Sequence, residues 1–344
     1  MLSRAFTKPS SHKQSPRNDE QQSHRSVSIH EYEDCIFGFM DIDVPLIVCD
    51  GHDRDAGGEA AYLTLREVLR ASVGMIGEGL LGMTEKVVLD RGRVCAVKRF
   101  RKLSVRRGEF GRSIQRLALA SRRCQYLVPV RAYMYAKRMK FVVSDYYPMG
   151  SLADLLDGAR KHGHTALGWN QRLTIILNIS LAIAFIHSQS PGQDKRLPMN
   201  VHGNIKPSNV LINVDFTACL SDYGLAQLAE RLEVSDTSWQ LKPPPRPPQP
   251  APCATALSQE NDIYNFGVIM LDLLGGIKSM KRCSKEERVE IRRGKFDLLE
   301  APMEGKGREE AMKVFEVALA CTDPSPEARP SIDRLLFDLG NVCY

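Results

Sequence analysis

Residues 201–225 constrain this chain more than any other stretch. They read Val201-His202-Gly203-Asn204-Ile205-Lys206-Pro207-Ser208-Asn209-Val210-Leu211, followed by Leu220-Ser221-Asp222-Tyr223-Gly224-Leu225. The side chain of Asn204 is an amide without a pKa near neutrality, so it cannot serve as a general base. Well upstream, Gly77-Glu78-Gly79-Leu80-Leu81-Gly82 completes a G-x-G-x-x-G pattern, a weak signal on its own. After it, Val94-Cys95-Ala96-Val97-Lys98 alternates as a strand and ends in lysine. A dinucleotide-binding turn would need a helix directly after Gly82, but Lys86-Val87-Val88-Leu89 is strand-like. The pattern is therefore a hairpin with glycines first and a lysine later.

Taken together, the two stretches at 201–225 resemble the catalytic loop and the metal-binding turn of a protein kinase, H-R-D-x-K-x-x-N and D-F-G. The resemblance puts Asn204 where the family has its catalytic aspartate, and Gly203 where it has arginine. Asn209 and Asp222 fall on the two magnesium-ligand positions, and Lys206 is placed to approach the γ-phosphate. The glycine hairpin becomes the phosphate-covering loop. Phe141-Val142-Val143-Ser144-Asp145-Tyr146-Tyr147-Pro148-Met149-Gly150-Ser151-Leu152 resembles the strand and hinge between lobes, with Ser144 as gatekeeper before an open back pocket. The implied nucleotide contacts are Gly77, Gly79, Gly82, Ala96, Lys98, Ser144, Leu211 and the backbone of Asp145 and Tyr147. ATP and Mg²⁺ are the implied cofactors.

Departures from the family pattern define the functional reading. A helix is expected over Arg107–Ala120. In the kinase register the glutamate that pairs with the lysine falls on Gln115, and Glu109 lies more than a turn away. Lys98 is then left with at most a neutral hydrogen bond. The segment Leu241-Lys242-Pro243-Pro244-Pro245-Arg246-Pro247-Pro248-Gln249-Pro250-Ala251-Pro252 stands in place of the family's A-P-E motif. Its prolines enforce an extended, stiff strip, read as a rigid surface loop in preference to a ligand for a proline-reading module. Containing no glutamate, it leaves Arg329 without its usual carboxylate.

Asn261-Asp262-Ile263-Tyr264-Asn265-Phe266-Gly267-Val268 resembles the buried central helix of the large lobe, with Asp262 bonded to the catalytic-loop backbone. Ala318-Leu319-Ala320-Cys321-Thr322-Asp323-Pro324-Ser325-Pro326-Glu327-Ala328-Arg329-Pro330 is similar to the closing helices of plant leucine-rich-repeat receptor-like kinases. The likeness runs over roughly residues 60 to 342. It implies an α+β bilobal kinase fold over 59–344, with a mainly β small lobe over about 59–145 and a mainly α large lobe over about 146–344. A short helix to Arg70 is expected to start from the capping box Thr64-Leu65-Arg66-Glu67, and Ser151 is expected to cap the helix after the hinge.

Composition narrows the setting. A chain of 344 residues with 43% apolar content can bury a full core. Nine cysteines without a C-x-x-C pair indicate reduced thiols in the cytosol rather than a disulfide framework. The net charge of +6 is too small to imply nucleic acid as a partner. No secretory signal opens the chain, and Leu173–Ile186, carrying Asn178 and Ser180, fits a buried helix better than a bilayer span. A soluble protein is expected, cytoplasmic or at the cytosolic face of the plasma membrane. Residues 1–58 are polar and basic and are expected to be disordered, with a short strand between Asp43 and Val48. Ser26 and Ser28 there are read as solvated linker rather than as modification sites.

The function these features imply is that of a pseudokinase. It would bind ATP, transfer phosphate poorly or not at all, and act through conformation on signalling proteins or receptor kinases. A weak Ser/Thr kinase is the alternative, because losing a general base typically costs about 10²–10⁴-fold in rate. A scaffold that binds no nucleotide would be favoured if Lys98 and Asp222 stood far apart.

Overall fold

The computed structural model describes residues 46–49, 63–79, 81–89, 92–101, 103, 105–136, 139–162, 167–190, 199–229, 257–275 and 305–343. The proline strip 243–252 and the N-terminal stretch before Leu46 lie outside them. The small lobe is a six-stranded antiparallel sheet in the order β1-β5-β6-β4-β3-β2. Its strands are β1 (Ile47–Val48), β2 (Ser72–Gly79), β3 (Gly82–Val88), β4 (Val94–Phe100), β5 (Val130–Tyr135) and β6 (Lys140–Asp145). Two helices accompany them, α1 (Leu65–Arg70) and α2 (Arg107–Arg123). The short strand expected near Val48 is β1, which pairs with β5.

Period-two alternation assigns each strand residue to one face of this sheet. Cys95 and Val97 of β4 and Phe141 and Val143 of β6 join one buried cluster with Leu65 and Val68 of α1. Ala96, Lys98, Val142 and Ser144 therefore face the other way, toward the second lobe. α1 forms where its capping box places it: Thr64 Oγ1 accepts from the Glu67 amide at 3.2 Å, and Glu67 Oε2 accepts from the Thr64 amide at 2.8 Å. α2 lies on the opposite face from α1. Phe110 makes edge contacts with Phe100 and Tyr133, with ring centroids 5.8 Å apart in each pair. The Tyr135 hydroxyl donates to the Val105 carbonyl at 2.6 Å and fixes the start of the helix.

The large lobe is mainly helical, as expected. α3 (Leu152–Lys161) starts at Ser151, whose Oγ accepts from the Asp154 amide at 3.2 Å. After it come α4 (Trp169–His187), a 3₁₀ turn at Pro207–Asn209, the hairpin β7 (Val210–Ile212) and β8 (Ala218–Leu220), and α5 (Leu225–Ala229). α6 (Gln259–Gly275), α7 (Lys306–Cys321) and α8 (Ile332–Cys343) complete it. By length and composition α4 could cross a membrane. Here it is a core helix: Ile175, Ile176, Ile179, Ile183 and Ile186 are buried, and it packs on α6, α8 and β8.

Candidate active site in the interlobe cleft

The catalytic-loop stretch is hung on one buried carboxylate. Asp262 of α6, 1% exposed, accepts from the His202 amide at 2.7 Å and the Gly203 amide at 2.9 Å. His187 Nε2 lies 3.2 Å from the same Oδ2. Asp262 thus has the structural role read from the sequence. His202 is fully buried, and its Nδ1 accepts from the Asn204 amide at 3.2 Å, which puts the ring proton on Nε2. Burial holds its pKa below the usual histidine range, against the pull of Asp262 and Asp222. Gln227 of α5 donates to the Val201 carbonyl at 2.8 Å, and the Tyr223 hydroxyl donates to that of Met199.

Asn209 and Asp222 are brought together by β7 and β8. The Asn209 carbonyl accepts from the Ser221 amide at 2.8 Å and from Ser221 Oγ at 3.1 Å. Asn209 Nδ2 donates to the Asn204 carbonyl at 2.8 Å. Its Oδ1 is then the end left to meet a cation. Asp222 has φ of +64°, a left-handed conformation uncommon for any residue but glycine. Gly224 follows with φ of +69°, and a Cβ there would sit 2.6 Å from Leu117 Cδ2 of α2. A glycine is needed both for the turn and for the seating of α2 upon it.

Lys98 does not have the environment the sequence suggested. Its Nζ is 2.5 Å from Asp222 Oδ2, and both side chains are largely buried, at 16% and 13% exposure. The expected neutral hydrogen bond is replaced by an ion pair with the carboxylate at a proposed metal position. Gln115 needs correcting as well. It is exposed on α2, away from the cleft, whereas Ser113, Ile114 and Leu117 are buried. Ser113 stands three residues after the buried Phe110 and four before Leu117, on the inward face. The residue of α2 in the register of the missing glutamate is therefore Ser113. The spacing of Phe110, Ile114 and Leu117 already marked that face, and Gln115 lies off it.

The remaining residues fall around the same cleft. Gly82, with φ of +148°, has no room for a side chain: a Cβ would meet the Arg99 carbonyl oxygen at 1.8 Å. Gly77 and Gly79 lie on the exposed strand β2 of this hairpin. Ala96 pairs with Ser144 across β4 and β6. A cavity is lined by Lys98, Leu117, Ser121, Val142, Ser144 and Asp222 among others. Asp145 gives its carboxylate to a bidentate pair with Arg131, both contacts 2.8 Å, which turns the side chain to the sheet and leaves the backbone as hinge. Tyr147 is a contact the sequence did not reveal. Its phenol is pushed well up by burial, beside the Cys219 thiol of β8. Leu211 pairs with Cys219, half-buried, beneath this hinge. Lys206 is exposed at the edge of the loop.

Among the described residues, Arg329 is seated by carbonyls and an aromatic ring. It donates to the carbonyls of Asp323 at 2.9 Å and Glu260 at 3.0 Å, and its guanidinium lies 4.8 Å from the centre of the Tyr264 ring.

A glycine hairpin and a buried strand lysine set over a helical lobe, with an Asn–Asp pair closing the cleft, define the protein-kinase fold. A protein kinase domain matches residues 71–338, and the chain belongs to that family. Its relatives include plant leucine-rich-repeat receptor-like pseudokinases. An inactive leucine-rich repeat receptor-like serine/threonine-protein kinase of Arabidopsis thaliana is 34% identical over 280 residues, covering 79% of this chain and 41% of that protein. A probable inactive receptor kinase of the same plant is 31% identical over 292 residues, covering 81% and 44%. The chain thus spans less than half the length of these curated relatives. The pseudokinase domain of BIR2, an immune regulator of the RLK/Pelle family, shares the fold with a TM-score of 0.66 at 24% identity, over 90% of this chain and 93% of that one. The kinase domain of maize SIRK1 bound to AMP-PNP gives a TM-score of 0.62 at 25% identity, over 87% and 100%.

Proposed function

We propose that the chain is a pseudokinase of the plant receptor-like type. It binds ATP in the cleft with modest affinity, transfers phosphate poorly or not at all, and signals by conformation to receptor kinases or other signalling proteins. The observation that carries this reading is the Lys98–Asp222 pair at 2.5 Å beside Asn204. The closeness of these two groups supports nucleotide binding over an empty scaffold. The base is absent, and the buried position of α2 between Phe110 and Leu117 is Ser113 rather than a carboxylate. In kinases the lysine is held by that carboxylate, which leaves the aspartate to the metal. Here Lys98 is held by Asp222 itself, and a metal-nucleotide must part the pair before it binds.

The residues present fit Mg²⁺ as a companion of the nucleotide. Asp222 and the Oδ1 of Asn209 are two hard oxygen donors, and Mg²⁺ completes its shell with phosphates and water. When bound, it would neutralise phosphate charge. Gly77, Gly79 and Gly82 would cover the phosphates, with Lys98 against them and Lys206 near the outermost. Ala96, Ser144, Leu211 and the backbone of Asp145 and Tyr147 would enclose the base. The kinase-like unit would run over 59–344 and work in the cytoplasm or at the cytosolic face of the plasma membrane.

The test is a thermal-shift titration with ATP, with and without Mg²⁺ or Mn²⁺, because a ligand that binds only the folded state raises apparent stability by mass action. A metal-dependent rise is expected, and Lys98→Met combined with Asp222→Asn should abolish it. No rise at millimolar ATP would replace this reading with the empty scaffold. Robust phosphorylation of a generic basic peptide by the unaltered chain would replace it with the active kinase.

A further inference from the structure

The two edges of the small-lobe sheet are finished differently. β1, at one end, is two residues long, and so short an edge offers little to pair with. β2, at the other end, runs from Ser72 to Gly79, and every residue of it is exposed. Among the described residues β3 is its one neighbour, so the outer row of amides and carbonyls has no strand beside it. Soluble proteins guard such an edge with lysines, prolines or inward charges. Ser72-Val73-Gly74-Met75-Ile76 has none of these. Its one guard is the irregularity between Met75 and Gly77, which confines regular pairing to the residues before the glycine turn.

The same stretch is apolar on one face. Val73 stands opposite Val87 and Met75 opposite Glu85, and Val87 is buried with Leu65 and Val68 of α1. Val73 and Met75 therefore share the α1 side of the sheet, where they are 48% and 67% exposed. A second copy of the strand fits them. Placed antiparallel about a two-fold axis at Gly74, it sets Val73 opposite Met75 of the second copy, and the reverse, on one face. Gly74, where the strands meet on the axis, has nothing within 4 Å of its side-chain position. The flanks agree on direction. Exposed Arg70 lies two residues before Ser72, and exposed Glu78 two residues after Ile76. Antiparallel pairing brings each Arg70 to the Glu78 of the other copy, whereas parallel pairing would set like charges together. The paired stretch spans about 17 Å. So small a contact belongs with the weak, transient interfaces.

We propose that the open edge of β2 is a self-association surface, on which two copies of this chain join their small-lobe sheets through antiparallel Ser72–Ile76 strands. The apolar contact lies on the α1 side, away from the cleft, and the reading is independent of nucleotide.

Sedimentation equilibrium of the full chain from about 5 to about 500 µM tests it, a range that brackets micromolar dissociation constants. A reversible monomer–dimer equilibrium is expected. Val73→Lys with Met75→Lys, both at exposed positions, should weaken it about tenfold or more by setting lysine against lysine across the axis. Val73→Lys with Met75→Glu should restore it, because each new lysine then faces the other copy's new glutamate. That dimer should weaken more steeply with salt than the unaltered one. Should the lysine pair disturb folding, Val73→Ser with Met75→Ser should weaken the dimer by removing the apolar contact alone. A chain that stays monomeric throughout the range overturns the proposal, whether its edge is bare or covered by another segment of the same chain. So does a dimer indifferent to the substitutions, and so does equal association of the lysine–lysine and lysine–glutamate variants.

Discussion

The frame beneath the catalytic loop and the reactive face above it have fared differently in this molecule. The frame keeps its backbone anchors, although His202 Nε2 and Gln227 Oε1 are buried without a partner among the described residues. Asp262 holds two loop amides, Gln227 holds the Val201 carbonyl, and Asn209 is bonded to both Asn204 and Ser221. The reactive face carries an amide at Asn204, and the inward side of α2 carries the buried Ser113. The difference follows from what each part must supply. A buried amide left without an acceptor costs stability at once, so the frame cannot erode without unfolding the lobe. A missing base costs rate alone, and a fold used for its shape tolerates that.

The sharpest way to break the contrast is at Asp262. Asp262→Ala leaves the buried His202 and Gly203 amides unpaired, and at about 1–3 kcal/mol each the loss should reach about 3 kcal/mol or more. Urea denaturation would measure it, and Asp262→Asn, which keeps one acceptor, should cost less. A stability unchanged in Asp262→Ala would mean that the frame is no more essential than the reactive face.

Repair of the reactive face should then fail in single steps, because groups that act as a unit are strongly non-additive. Asn204→Asp alone should give no peptide phosphorylation. Ser113→Glu with Asn204→Asp should free Asp222 from Lys98 and yield at best slow autophosphorylation, read as labelled γ-phosphate incorporation. Peptides should remain poor substrates until the 243–252 strip is also replaced. Turnover restored by Asn204→Asp alone would show that Ser113 and the Lys98–Asp222 pair are incidental.

A smaller effect is expected at the ion pair itself. Lys98→Met leaves the largely buried Asp222 unpaired and should destabilise the chain by about 1 kcal/mol or more, between the surface and buried limits for such pairs. It should also remove the metal-dependent part of the ATP shift. At the hinge, Ser144→Tyr should exclude an adenine-enlarged nucleotide analogue while ATP still raises the melting temperature, since only the cavity that Ser144 lines is filled. Equal loss of both ligands would place Ser144 elsewhere than on the back pocket.

Acid should weaken the frame slightly through His202. Its pKa is lowered in the folded state, so between about 6.5 and that lower value the unfolded chain binds the extra proton. Its contribution is therefore fully present above about pH 6.5 and is lost as pH falls through the folded value. The difference in urea midpoint between the unaltered chain and His202→Asn should shrink from pH 7.5 to pH 5.5. A constant difference would contradict the assignment of a neutral, buried imidazole.

Local patterns were legible without the fold. The capping box at Thr64, the cap at Ser151, the glycine hairpin, the strand ending near Lys98 and the structural role of Asp262 all rest on neighbours in sequence or on a strong motif. The departure at residue 204 was equally plain, because an amide for a carboxylate changes chemistry whatever surrounds it. Other features depended on tertiary packing. Counting along a motif led to Gln115, although the apolar spacing of Phe110, Ile114 and Leu117 already pointed to Ser113; the packing of α2 on Phe100, Tyr133 and Gly224 agrees with the spacing. The partner of Lys98 lies 124 residues away, and only closure of the two lobes brings Asp222 against it. Arg329, short of a carboxylate in sequence, is satisfied by two carbonyls and the Tyr264 ring from α6 and its own turn. Sequence determined which chemistry had been lost, since that depends on a side chain's own functional group. Tertiary structure decided which groups took over the vacated contacts, since a buried charge pairs with whatever polar atom the packed chain leaves nearest.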